Sequence, residues 1–168
     1  MNYLITFILV PCFILCFAGQ GSTQENRTAD STKDVPASDF ILKDFVGKDY
    51  RLSNYKGKTV LLNFMTTWCP ECKASASYLK SIHSKFSRQG LIIFNINIMQ
   101  SEEKAAGFSK KYKLPYPTLM DHDGTISKNY GVVGVPVKVL IDREGRIICW
   151  NCNSMDKLIE EQFTGKGE

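Results

Sequence analysis

Apolar positions along the chain fall into two kinds of segment that take turns. Thr59-Val-Leu-Leu-Asn-Phe64 and Leu91–Ile98 are near-continuous apolar runs, which predict strands buried on both faces of a sheet. Between them Tyr78, Leu79, Ile82 and Phe86 recur at helical spacing. Lys85 and Arg88 close that helix and Gly90 fits its C-terminal cap. Ser101 predicts the cap of a second helix reaching Tyr112, with Glu102 and Glu103 in its first turn. Thr125–Tyr130 reads as a short helix and Met155–Phe163 as the last one. Two hairpins complete the pattern. Phe40–Phe45 and Asp49–Leu52 flank Val46-Gly47-Lys48, and Val137–Asp142 and Arg146–Cys149 flank Arg143-Glu-Gly145. Strands separated by helices, followed by a terminal hairpin, predict an α/β sheet of mixed direction.

The ends have a different texture. Tyr3–Ala18 is apolar, broken only by Thr6, Pro11, Cys12 and Cys16, and no charged side chain precedes Glu25. That is the length of a signal-peptide core and short of the ~20 residues of a bilayer span. Cys16-x-Ala18 and Gly19-x-Gly21 offer cleavage patterns, although no Lys or Arg precedes the apolar run. Leu15 and Pro11 before the two cysteines do not suit a lipoprotein acceptor. Residues 1–18 are therefore expected to be a signal peptide or membrane anchor. Residues 19–38, rich in Ser, Thr, Gln, Asn and Asp, are expected to be a flexible polar tether. The folded domain is expected over residues 39–168, and no internal repeat is visible.

Composition adds bounds. A chain of 168 residues with 43% hydrophobic content can bury one real core. The net charge of +4 is spread among acids. No basic stripe suggests nucleic acid, and Lys110, Lys111 and Lys113 read as a solvated surface.

The chemistry lies in Thr66-Thr-Trp-Cys69-Pro-Glu-Cys72, where a strand runs in and a helix runs out. Two intervening residues on a helix's first turn bring two sulfurs into disulfide range. The first then sits, exposed, at the helix N-terminus, where unpaired N–H groups and the dipole favour its thiolate. That thiolate attacks a substrate disulfide and the second thiol resolves the mixed disulfide. Pro70 at the first helical position loses no hydrogen bond. Half of a zinc site and an inert buried pair are the competing readings of such a pair. The next pair, Cys149 and Cys152, is much farther along than zinc spacing requires. His83 on the long helix and His122 in a turn have no ligand partner at recognisable spacing. Neither a metal nor a cofactor is expected.

Asn63-Phe-Met-Thr-Thr-Trp-Cys-Pro-Glu-Cys72 resembles the active-site stretch of the TlpA/ResA-like branch of the thioredoxin superfamily. Tyr55-Lys-Gly-Lys-Thr-Val-Leu-Leu-Asn-Phe64 matches its lead-in strand. Gly134-Val-Pro136-Val-Lys-Val-Leu-Ile-Asp142, with Gly145, matches its second signature. The resemblance spans about residues 39–163. It implies a thioredoxin fold whose mixed central sheet is flanked by helices, with an N-terminal hairpin and a helical insertion near Ser101–Tyr130. It implies an exported thiol-disulfide oxidoreductase, periplasmic or tethered to a membrane. Such an enzyme would act on protein disulfides or thiols and draw on an upstream thiol donor, with a membrane-embedded donor as one candidate.

The resemblance also assigns roles. Cys69 and Cys72 carry the cycle, Trp68 covers the disulfide, and Pro136 is cis and faces Cys69. That last point reverses the general expectation, since only ~5–6% of X–Pro bonds are cis. Val135 would then offer its backbone to an extended substrate segment. Three positions depart from neighbouring patterns. Asn63 stands where thioredoxins proper have a buried Asp, as is common in this branch. Gln100 stands where apocytochrome c reductants often carry Glu, and Val137 follows the proline where Thr is usual. Glu71 beside both sulfurs disfavours thiolate and points to a reductase or isomerase, nearer thioredoxin at about −270 mV than DsbA at about −120 mV.

Two other function classes stay open. A thiol peroxidase of the AhpC/TSA type shares the fold and has Thr three residues before its cysteine, as Thr66 is here, but wants Pro where this chain has Leu62. A metal-binding module is the third. The Cys149/Cys152 pair lies outside the family pattern. It reads either as a local structural disulfide or unreactive thiols, or as an auxiliary pair exchanging electrons with Cys69 and Cys72.

Overall fold

A computed structural model describes residues 35–164. The expected signal segment and most of the expected tether lie outside the described residues. Eight strands form one sheet: β1 (Val35–Pro36), β2 (Ile41–Asp44), β3 (Asp49–Arg51), β4 (Thr59–Met65), β5 (Leu91–Ile98), β6 (Thr118–Asp121), β7 (Val137–Ile141) and β8 (Arg146–Trp150). Four helices accompany them: α1 (Pro70–Phe86), α2 (Glu102–Tyr112), α3 (Thr125–Asn129) and α4 (Met155–Thr164). Among the described residues no helix is long and apolar enough to cross a membrane.

The strand order is β1-β8-β7-β4-β5-β6-β2-β3. β4 lies at the centre, parallel to β5 and antiparallel to β7, and every one of its residues is buried. Its side chains divide between the two faces as strand geometry demands. Val60, Leu62 and Phe64 join a cluster with Phe94, Leu119, Val139 and Tyr130. Leu61 joins the opposite cluster, where α1 contributes Leu79, Ile82 and Phe86 and α4 contributes Met155 and Ile159. Leu79 is 1% exposed; truncating such a residue to Ala typically costs ~2–5 kcal/mol.

Local chemistry fixes the connections. In the first hairpin, Asp44 Oδ1 accepts from the N–H groups of Val46 and Lys48, both at 3.0 Å, and Gly47 takes the left-handed φ of 89°. In the last hairpin, Asp142 Oδ1 accepts from Glu144 N and Arg146 N, and its Oδ2 accepts from Arg146 Nε. Ser101 caps α2 as expected. After α1 the chain tightens into a 3₁₀ turn at Ser87–Gln89, so Arg88 lies beyond the α-helix, and Gly90 ends it at φ 109°.

Two elements differ from the sequence reading. The insertion is not wholly helical, because β6 enters the sheet between β5 and β2. Its four buried residues follow Pro115 and Pro117 too closely for a periodic signal to develop. The sheet also begins before Asp39: Val35 and Pro36 pair with Ile147 and Arg146 of β8. Only the pairing reveals this, since two residues in a polar stretch carry no pattern.

Candidate functional site

β4 ends at Met65, and the chain turns through Thr66, Thr67 and Trp68 into α1. Cys69 is the N-cap of α1, with extended backbone (φ −68°, ψ 121°), and Pro70 is its first residue. The Cys69 sulfur accepts from Cys72 N at 3.2 Å, so one of the orphan N–H groups of the helix start points at it. As a thiol, Cys69 lies within donating range of two acceptors, Glu71 Oε2 at 3.6 Å and the Val135 carbonyl at 3.7 Å. The Val135–Pro136 peptide bond is cis. Thus Cys69, Cys72, Glu71 and Val135 are brought together, while Trp68 stands 66% exposed at the rim.

One expectation is corrected. Cys69 was expected to be the exposed sulfur, but both cysteines are 2% exposed and pack with Met65 and Phe108. Exposure therefore does not distinguish the two sulfurs. Burial, and then the hydrogen bond and charge of Cys69, push the Cys72 thiol up to about 12, with Glu71 adding and the Thr66 backbone opposing. Both cysteines are free thiols in this structure.

A groove of about 660 Å³ opens beside Cys69, lined by Trp68, Ile98, Met99, Val133 and Val135 among others. Met99 is 67% and Val133 99% exposed, so with Trp68 three large exposed apolar side chains line the groove beside Cys69. Periodicity could not find Met99 and Val133, because both lie in loops. Gln100 was visible only as a departure from a family pattern; here it holds Thr67 by two hydrogen bonds.

The remaining candidates lie elsewhere. Cys149 and Cys152 form a disulfide with Cα atoms 5.8 Å apart, Cys149 in the core beneath α4 and Cys152 half-buried. His83 packs on Tyr116 with ring centroids 5.8 Å apart, and burial lowers its pKa. His122 pairs with Glu102 at 3.2 Å on the surface. Among the described residues no group of three or more His, Cys, Asp or Glu side chains could hold a metal ion.

The AhpC/TSA family model matches residues 34–149. Thiol-disulfide oxidoreductase ResA of Bacillus subtilis is 35% identical over 132 residues, covering 79% of this chain and 69% of that protein. ResA of Bacillus thuringiensis subsp. konkukian is 32% identical over 149 residues, covering 86% and 85%. A thiol:disulfide interchange protein from Bacteroides sp. superposes with a TM-score of 0.70 at 24% identity, covering 81% of this chain and 92% of that one. The thioredoxin domain of a thiol-disulfide oxidoreductase from Bacteroides vulgatus gives 0.70 at 23%, covering 77% and 99%. These likenesses agree with a sulfur held at a helix N-terminus opposite a cis proline: the chain belongs to the AhpC/TSA family, as a thioredoxin-fold thiol-disulfide oxidoreductase of the TlpA/ResA-like branch.

Proposed function

We propose that Cys69 attacks protein disulfides and Cys72 resolves the mixed disulfide, in the direction of reduction or isomerisation. The observation that carries this is the Cys72 N–H at 3.2 Å from the Cys69 sulfur, which supports charge on that sulfur. Cys72, pushed up to about 12, stays protonated and in reserve until Cys69 is engaged. Trp68, Met99 and Val133 give an extended substrate segment an apolar seat, and the Val135 backbone gives it a strand-like partner beside the sulfur. Glu71 beside Cys69 supports the reducing direction. Residues 1–18 would export the domain as a signal peptide or anchor, and residues 19 to about 34 would tether it. The Cys149–Cys152 disulfide suits an oxidising compartment. An upstream thiol donor would restore the dithiol.

Trapping tests the assignment. Full-length Cys72→Ala, expressed in its host, is expected to accumulate proteins disulfide-bonded to Cys69. Equal capture by Cys69→Ala/Cys72→Ala would defeat it. Sequencing the N-terminus of the mature protein tests export; full-length soluble protein in the cytoplasm would count against it.

The family match and Thr66, three residues before Cys69, favour thiol peroxidase as a second reading. Stoichiometric peroxide consumption by the reduced protein, abolished in Cys69→Ser, would establish it.

A further inference from the structure

Among the described residues Met99 is the methionine that solvent reaches. It is 67% exposed, whereas Met65, Met120 and Met155 are 1%, 2% and 5% exposed. Its backbone is unusual as well. With φ 51° it occupies the left-handed region, which a large side chain rarely enters. The other two non-glycine residues there have local reasons. Lys113 is the C-cap of α2, and Asn151 is of a residue type that tolerates this region.

Met99 is pinned on both sides. Its N–H donates to the Asp121 carbonyl at 2.9 Å, and the next residue, Gln100, clamps Thr67. The side chain lies against Gly124, where an added Cβ would stand 3.2 Å from Met99 Sδ. The thioether therefore rests on the turn after β6 and lines the groove that also holds Trp68, Cys69 and Val133. Glycine or asparagine would suit that backbone with less strain, so the turn does not account for the side chain. An apolar wall for substrate is the plain account. It does not cover the thioether, since leucine would wall the groove equally well. A thioether, unlike leucine, is oxidised reversibly to a polar group.

We propose that Met99 is a peroxide-sensitive modification site whose sulfoxide closes the apolar seat beside Cys69. This rests on the reading of that groove as the substrate seat. The Met99 sulfur attacks one oxygen of hydrogen peroxide. An S–O bond forms, the O–O bond breaks, and the second oxygen leaves as water. The sulfur loses two electrons and the peroxide gains them. A hydrogen-bond acceptor then stands where the wall was apolar. An apolar substrate side chain docking there strips water from that oxygen and offers no donor in return. Peroxide attacks thiolates, so the cysteine pairs are spared while they are disulfides, and the sulfoxide forms on the resting oxidised enzyme. Later reduction of Cys69 and Cys72 leaves it in place.

The test starts from full-length protein converted to the Cys69–Cys72 disulfide, treated with hydrogen peroxide, freed of it and reduced with dithiothreitol. Peptide mapping by mass spectrometry should find an added oxygen on Met99 while Met65, Met120 and Met155 remain unmodified. Reduction of a disulfide-linked peptide carrying Phe beside its cysteine should fall roughly tenfold. Methionine sulfoxide reductases, added to the same sample, should restore the rate. Met99→Leu, compared with itself before and after the same treatment, should hold its rate. Oxygen uptake at a buried methionine as fast as at Met99 would overturn the proposal. So would an unchanged rate with Met99 fully oxidised, a loss that the reductases do not reverse, or an equal loss in Met99→Leu. If untreated Cys69→Ser reduces the peptide as fast as untreated wild type, the role of Cys69 falls instead, and the closing role of Met99 with it.

Discussion

Gln100 grips Thr67 at two points: its Oε1 accepts the Thr67 N–H at 2.7 Å and its Nε2 donates to Thr67 Oγ1 at 3.0 Å. The end of β5 is thereby tied to the loop that aims Trp68 and Cys69. Gln100→Ala leaves a partly buried N–H without its partner and is expected to cost about 1–2 kcal/mol in urea unfolding. Gln100→Glu keeps the acceptor, and the Thr67 hydroxyl can turn to donate, so it should cost less than half as much. An Ala variant unfolding at the wild-type midpoint would show that the clamp is incidental.

Glu71 stands 3.6 Å from the Cys69 sulfur and its charge also raises Cys72. Removing that charge should favour the dithiol over the disulfide. Glu71→Gln is therefore expected to make the Cys69–Cys72 potential less negative, on the order of 15 mV, by equilibration with glutathione. A more negative value would mean that the carboxylate acts through hydrogen bonding rather than charge.

Stability of the dithiol should depend on alkaline pH in a way the disulfide form does not share. The folded Cys72 thiol, pushed up to about 12, lies above an unfolded cysteine near ~8.5. Its stabilising contribution is complete below about pH 8.5 and is lost as pH rises toward 12. Tyr78, Tyr116 and Tyr130 are also raised by burial, but they are common to both forms and cancel in the comparison. The melting temperature of reduced minus oxidised protein should fall between pH 8 and pH 10, and the melting temperature of reduced Cys72→Ser should fall less over that range than that of the reduced wild type. A pH-independent difference would place the Cys72 thiol near its ordinary value.

Cys149 is 4% exposed and packs in the core cluster that holds Met155 and Ile159 of α4, which favours a structural disulfide over an electron relay. Closing so short a ring is worth about 2 kcal/mol in the chain-entropy account. Cys149→Ser/Cys152→Ser should therefore melt earlier while exchanging disulfides at wild-type rates with both a small dithiol and the native donor. A rate loss with the native donor alone, in a folded variant, would restore the relay.

The parts of this molecule legible from sequence are those where a period or a special residue recurs over a turn or more. Leu91–Ile98 and Glu102–Tyr112 match their expected limits because each carries eight or more patterned residues with caps. The Cys69–Cys72 centre was legible because two cysteines, a proline and the preceding strand are all local. β1 and β6 were not, since strands of two and four residues are defined by partners far away in sequence. The apolar rim of Met99 and Val133 and the Gln100 clamp are likewise products of the third dimension.

The sheet order carries a consequence for synthesis. β1 and the β2–β3 hairpin are the earliest described segments of the chain, yet they occupy the two outer margins of the sheet. The hairpin joins the rest of the sheet through β2 on β6, Lys43 with Met120 and Asp44 with Leu119, and β1 pairs with β8. A ribosome delivering this chain from its N-terminus therefore presents β1 and the hairpin long before β8 and β6 exist. The hairpin can close on itself but must wait for β6 before it joins the sheet, and β1 waits for β8. Contacts of such long sequence separation slow folding, so the completed sheet is expected only after the last hairpin is free.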